Sequence, residues 1–299
     1  MIVVGDEVRT ALSTGNAVVA LESTIFSTLG LPSPANAEAL QLCSTAIRNM
    51  GAVPALTAVL DGVIYAGVPE ELQDRVLASS VKVAARDLAT ASSRRLPEGA
   101  TTVSSAVVIA DSVGIDVFAT GGIGGVHREV ELTGDISADL DAIARHQVLV
   151  VSAGAKAFLD LPRTLEYLET QSVPVVGWQT DYFPAFYVRN SGLEVPHRVD
   201  DARSAARLHL SRKKLGQAGT LLVVPIPLGA ELDAAEIDEV IEISLAELRE
   251  QQISGPRVTP YVLAKLEEIT AGESVSANLA LAEQNALVAA EVAVEIAAQ

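Results

Sequence analysis

Two neighbouring runs hold the residues best suited to chemistry: Thr120-Gly121-Gly122-Ile123-Gly124-Gly125-Val126-His127-Arg128 and Gly134-Asp135-Ile136-Ser137-Ala138-Asp139-Leu140. Four glycines in the first run leave backbone N–H groups uncovered by side chains, so that they can face an anion such as a phosphate. Asp135 and Asp139 carry hard carboxylate oxygens that suit a divalent cation. A phosphate cradle beside a metal-capable carboxylate suggests an enzyme acting on a phosphorylated small molecule.

Such loops need strands and helices to hold them. Apolar runs of strand length occur at Ala17–Leu21, Val53–Leu60, Val63–Ala66, Val81–Val83, Asp116–Ala119, Val148–Ser152, Val173–Trp178 and Thr220–Pro225. Helical periodicity occupies Asn36–Met50, Thr102–Val113, Ser137–Ala144, Thr164–Gln171, Ala202–Leu215, Ala234–Gln251, Pro260–Thr270 and Val275–Ala298. This alternation predicts one α/β domain over residues 1–299, in three layers. A largely parallel, mixed central sheet is covered on both faces, with a helical C-terminal flank. Little room is left for helices among the three strands between residues 53 and 83, and a hairpin is expected to turn at Asp61-Gly62.

In parallel sheets, ligands bind beyond the carboxyl ends of the strands. Glu22, Thr120 and Lys156 each follow a predicted strand, and Lys82 lies in or just after one. One carboxylate, two amines and the glycine loop thus converge on one rim. Each residue also has a plainer reading. Glu22 could cap a helix or pair with an arginine, Lys82 and Lys156 could be solvated, and Asp135 could be acidic charge at a helix start. The loop lacks the third glycine of a dinucleotide fingerprint and ends in no Gly-Lys-Ser/Thr pattern. His127 could be a structural hydrogen-bonder, and the lack of any other nearby His or Cys argues against zinc.

Composition narrows the class. The 299 residues are 49% hydrophobic and carry a net charge of −17, which disfavours a nucleic-acid partner. Cys43 is the only cysteine and reads as a small buried apolar residue. No signal-peptide pattern and no run of membrane-spanning length is seen, so a cytoplasmic protein without a membrane partner is expected.

The chain resembles the pseudouridine-5′-phosphate glycosidase family, also called indigoidine-synthase-A-like, from about residue 17 to 289. The resemblance rests on Val19-Ala20-Leu21-Glu22-Ser23-Thr24-Ile25, Gly51-Ala52-Val53-Pro54-Ala55, Ala100-Thr101-Thr102-Val103, the Thr120–Arg128 loop, Asp135–Leu140, Ala153-Gly154-Ala155-Lys156, Leu165–Thr170 and Phe183-Pro184-Ala185-Phe186. It implies a lyase that reversibly splits pseudouridine 5′-phosphate with water into uracil and ribose 5-phosphate. The bond broken is carbon–carbon, so protonating a leaving heteroatom is not a route; a lysine imine to the ring-opened ribose is. Lys156 is then the nucleophile and Glu22 the proton donor. Lys82 binds substrate, on the phosphate, and Val103 touches it through its backbone. Asp135 binds manganese, with magnesium an alternative. Ser137, Ala138 and Asp139 line the substrate site, Thr120 and the glycine loop donate to phosphate, and Asn278 or Asn285 reads the uracil edge. A homotrimer is also implied.

The chain departs from the family pattern at Ser27-Thr28-Leu29-Gly30, where many members carry Ser-His-Gly, and at Ala85, where an arginine is absent. An Asn-Asn pair near the C-terminus becomes Gln284-Asn285. Two other readings stay open: a lyase or aldolase of the same mechanism on another phosphosugar or C-nucleotide, and a non-catalytic phosphosugar-binding protein.

Overall fold

The computed structural model describes residues 2–253 and 255–299. From the N-terminus come β1 (Ile2–Val4), α1 (Asp6–Ser13), β2 (Val18–Leu21), α2 (Ala35–Asn49), β3 (Val53–Leu60) and β4 (Val63–Ala66). Next are α3 (Gln73–Leu77), β5 (Lys82–Val83), α4 (Leu88–Ser93), β6 (Glu98–Thr101), α5 (Val103–Val113) and β7 (Val117–Ala119). Then follow α6 (Val130–Thr133), α7 (Ala138–Arg145), β8 (Leu149–Ser152), α8 (Leu161–Thr170), β9 (Val175–Trp178) and β10 (His197–Val199). α9 (Ala202–Lys214), β11 (Thr220–Val223), α10 (Ala234–Glu250), α11 (Val258–Ile269) and α12 (Glu273–Ala297) complete the described chain.

Seven strands form a parallel sheet in the order β3-β2-β7-β8-β11-β9-β10. Its central strands are apolar and buried along their whole length, as strands covered on both faces must be. The long β3 serves two neighbourhoods. Val53–Leu56 runs parallel to β2, whereas Thr57–Leu60 pairs antiparallel with β4, and Ala58–Leu60 also with β6. The β3–β4 hairpin turns at Asp61-Gly62, where φ of 52° and 77° suits a tight two-residue turn. β1 joins β4 and β5 joins β6, both in parallel.

Helices α2, α12 and α9 cover one face of the sheet, while α5, α7 and α8 lie together on the other. α12 crosses β2, β7 and β8 with many buried side chains, so it is a central covering helix. α10 and α11 pack chiefly against each other.

The structure adds elements to those the sequence predicts. β1, β6, β10, α1, α4 and α6 are short, and α3 occupies the stretch expected to leave little room between β4 and β5. In β6 (Glu-Gly-Ala-Thr), a Cβ on Gly99 would lie 2.5 Å from Val83 and 2.8 Å from Leu96, so close packing selects the glycine. α8 starts three residues before the expected Thr164. Asp160 caps it by accepting from Arg163 N–H at 3.0 Å, with Pro162 in the first turn.

Candidate active site

The carboxyl ends of β2, β6, β7 and β8 lie side by side, and a buried hydroxyl lattice fixes the first two. Ser23 and Thr24 N–H donate to Thr101 O at 3.2 and 3.0 Å, and Thr101 N–H donates to Ser23 Oγ at 2.8 Å. Thr57 Oγ1 and Thr101 Oγ1 are hydrogen-bonded at 2.7 Å. The lattice holds the residue before it, Glu22, at 6% exposure with the Thr120 hydroxyl donating to its Oε1. Burial pushes the Glu22 carboxyl up to about 7, against the opposing pull of the Lys156 charge and the Thr120 hydrogen bond. Near neutral pH such a group is divided between acid and base forms, which suits proton transfer.

The glycine loop is shaped by packing. None of Gly121, Gly122, Gly124 and Gly125 has a positive φ, so left-handed backbone is not the reason for glycine there. A Cβ on Gly122 would lie 2.5 Å from the Phe186 ring, on Gly124 2.3 Å from Ser137 Oγ, and on Gly125 2.5 Å from Thr164 Oγ1. Most of the loop's N–H groups are also committed within the protein. Ile123 donates to Gly154 O at 3.0 Å, Gly124 to Asp139 Oδ2 at 2.9 Å and Val126 to Thr164 Oγ1 at 2.9 Å. In return, Ala153 N–H donates to Gly121 O and Lys156 N–H to Ile123 O. The loop therefore zips along residues 153–156 and continues the β7–β8 pairing past the strand ends. It is a rigid mount for Lys156.

That geometry changes what several expected site residues do. Thr120 turns its hydroxyl to Glu22 rather than outward as an expected phosphate donor. Asp139 accepts from Ser104 N–H and Gly124 N–H, both at 2.9 Å, which staples the start of α5 to the loop. Asn285 donates from Nδ2 to Thr120 O at 2.8 Å and Gly121 O at 3.1 Å, so its amide holds the loop's backbone. Asn278, one of the two expected base readers, keeps a buried Oδ1 with no partner among the described residues.

The remaining expected residues stand around this frame. Ser137 caps α7 through Oγ, which accepts from Asp139 N–H at 3.2 Å, and Ala138 is the exposed first residue of that helix. Val103 is the buried first residue of α5; neither its N–H nor that of Ala138 is hydrogen-bonded among the described residues. The bonds of Asp139 thus bring two helix N-termini together, each with partial positive charge. Lys82 remains open to solvent beside protein atoms that crowd it. Burial and then the Lys156 charge hold its pKa below the usual lysine range. Burial likewise lowers His127, whose Nδ1 lies 3.9 Å from Asp135 Oδ2. Asp135 is the partly exposed carboxylate of this rim. Among the described residues no three His, Cys, Asp or Glu side chains converge as a ready-made metal cage. Sequence reasoning missed Thr57 and Thr164 as supports, and gave Thr101 and Phe186, which lie in the resembling segments, no role of their own; the partners that define these roles come from other parts of the chain.

The profile of the family described as "Indigoidine synthase A like protein" matches residues 7–295. The chain belongs to that family. Relatives include the pseudouridine-5′-phosphate glycosidase of Methylobacterium nodulans, 49% identical over 97% of this chain and 86% of its own length. The protein of the same name from Arabidopsis thaliana is 44% identical over 99% of this chain and 90% of its own. Among solved structures, the prealnumycin C-glycosynthase AlnA in complex with ribulose 5-phosphate has a TM-score of 0.91. It is 38% identical, covering 100% of this chain and 97% of that one. An indigoidine synthase A-like protein from Thermotoga maritima gives a TM-score of 0.89 at 34% identity, over 99% and 97% of the two chains. Family membership fits the α/β architecture expected from the sequence. Among the described residues no helix is long and apolar enough to cross a membrane.

Proposed function

We propose that this protein reversibly cleaves the C-glycosidic bond of pseudouridine 5′-phosphate with water, giving uracil and ribose 5-phosphate. The observation that carries this reading is Glu22. It is a buried carboxyl poised near pH 7 under the influence of Lys156, in a chain whose relatives are named for that reaction. The Lys156 amine attacks C1′, and the ring oxygen leaves with a proton as a hydroxyl. The nitrogen lone pair then forms C1′=N while the bond from C1′ to the base breaks, and Glu22 delivers a proton to the base carbon. Water adds to the imine, releasing ribose 5-phosphate and the free amine.

Lys82 and the N–H groups of Val103 and Ala138, at the joined starts of α5 and α7, would hold the phosphate end. Ser137 and Asp139 line that end, Asp139 by positioning it. Asn278 supports base recognition through an amide with no hydrogen bond among the described residues, whereas Asn285 has only its Oδ1 left for it, its NH2 holding Thr120 O and Gly121 O. Asp135 would hold Mn²⁺, or Mg²⁺, through its carboxylate. The donor set fits an ion held jointly with substrate, since Asp139 gives both oxygens to backbone N–H groups. Such an ion would neutralise phosphate charge. A cytoplasmic homotrimer belongs to the same reading.

The test is trapping with ribose 5-phosphate and borohydride, followed by mass spectrometry. The expected product is a single reduced adduct on Lys156, lost in Lys156→Ala; an unmodified Lys156 would sink the imine route. A second reading, the same chemistry on another C-nucleotide or phosphosugar, is favoured by the likeness to a C-glycosynthase. Faster turnover of another C-nucleotide in a substrate panel would select it.

A further inference from the structure

Glu22 and Thr120 are the first residues past two paired strand ends. β2 and β7 run parallel with Leu21 opposite Ala119, so the residue that follows each strand stands beside the other. The Thr120 hydroxyl reaches across and donates to Glu22 Oε1. Thr120 Oγ1 has no other partner among the described residues, and Glu22 Oε2 has none at all there. In the carboxylic acid the proton therefore sits on Oε2, because Oε1 is already taken as an acceptor. Lys156, Lys82 and Asp139 are the charged groups that act on Glu22, and none of them bonds its carboxyl directly.

The backbone of Thr120 is tied on both sides. Its N–H donates to Val151 O of β8 at 3.0 Å. Its carbonyl and that of Gly121 accept from Asn285 Nδ2 at 2.8 and 3.1 Å. Asn285 is 1% exposed in the middle of α12, and its Oδ1 stays without a partner among the described residues. A buried orphan oxygen costs stability, so what accounts for this amide is what its NH2 holds. With the main chain fixed, the freedom left to Thr120 is its χ1, which the branched side chain restricts.

We propose that Asn285 and Thr120 are positioning residues for the proton donor: Asn285 sets the backbone, and the Thr120 hydroxyl, by occupying Oε1, confines the transferable proton to Oε2. The assignment deepens the glycosidase reading above and rests on it. As Oε2 gives its proton to the base carbon, negative charge spreads over both oxygens. The Thr120 bond becomes charge-assisted at the moment that charge appears. Water adding to the imine returns a proton to the carboxylate. Asn285 thus acts through Thr120 and not on the base.

The test is the pH dependence of uracil release from pseudouridine 5′-phosphate. Thr120→Val, close in shape but without the hydroxyl, should lower kcat about tenfold and move the basic limb up by about one pH unit, because the carboxylate loses its donor. Thr120→Ser should bring kcat back to within about threefold of wild type and return the limb to its place. Asn285→Ala should move the limb in the same direction, and the double variant should stay within about threefold of Thr120→Val, since the two residues act as one unit. Should Asn285→Ala not fold, Asn285→Ser takes its place under the same criterion. KM and borohydride trapping of ribose 5-phosphate on Lys156 should not move in any variant. A basic limb that stays put in Thr120→Val, a raised KM with kcat intact, or lost trapping would overturn the assignment alone. A wild-type protein that neither releases uracil nor traps ribose 5-phosphate would overturn the glycosidase reading and the assignment with it.

Discussion

Two carboxylates, Glu22 buried and Asp116 half-buried, mark opposite ends of neighbouring parallel strands. Glu22 follows β2 at its carboxyl end, and Asp116 precedes β7 at its amino end. Burial is the largest single influence on each carboxyl and pushes both upward. The outcomes are opposite. His209 Nε2 at 3.3 Å and the Lys213 ammonium bond Asp116 directly and hold it below the usual carboxylate range. Glu22 has a neutral hydroxyl as its hydrogen-bonding partner, and the two lysines act on it without a direct ion pair, so burial prevails. Burial alone does not make a reactive acid; burial without a bonded cation does. One end of the sheet uses its carboxylate to tie α9 to β7, and the other keeps a carboxyl poised.

The largest expected effect separates the two in catalysis. Glu22→Gln should lower the rate of base release by about 10²–10⁴-fold, the usual worth of a positioned proton donor. Asp116→Asn should leave it within about twofold. If Asp116→Asn proved as damaging in a steady-state uracil-release assay, the division of labour would fail.

Stability should move the other way. The Glu22 carboxyl rises from 4.5 to about 7 on folding, so the folded state favours its protonated form. Its contribution is complete below pH 4.5 and is lost as pH rises through about 7. Glu22→Gln, which cannot ionise, should therefore be more stable than wild type by about 3 kcal/mol at pH 8 and by nothing at pH 4, read from urea melts at both pH values. Equal stabilities at pH 8 would contradict the burial of an ionised carboxylate. The same ionisation should make base release decline as pH rises above about 7, a limb absent from Glu22→Gln.

Asp116→Asn should cost about 2 kcal/mol at pH 7, because it removes charge-assisted hydrogen bonds from His209 and Lys213. Lys213→Met should cost less, about 1 kcal/mol. Lys213 is about a third exposed and His209 stays in place. A larger loss for Lys213→Met than for Asp116→Asn, again by urea melts, would reverse their ranking.

Features encoded by neighbours in the chain are legible in the sequence. Strands such as Val53–Leu60 and Val63–Ala66 show themselves as largely apolar runs, and Asp61-Gly62 announces its turn. β6 was invisible because Glu-Gly-Ala-Thr has no apolar run; it is a strand because β3 and β5 pair with it on either side. The glycine loop is legible as a loop, but its glycines are required by Ser137, Thr164 and Phe186, which lie 13, 39 and 64 positions beyond Gly124, Gly125 and Gly122. The Ser23–Thr57–Thr101 lattice is likewise long-range, with Ser23 and Thr101 separated by 78 positions.

Apolar periodicity and local motifs suffice for most elements, the parallel α/β class, the family, and the residue types available at the strand ends. What those residues face is set by the fold. It turned Thr120 to Glu22 and committed Asp139 and Asn285 to backbone groups. The reason is physical. Periodicity is a property of neighbours in the chain, whereas a pKa, an unpartnered oxygen or the need for a glycine is set by atoms that only folding brings near.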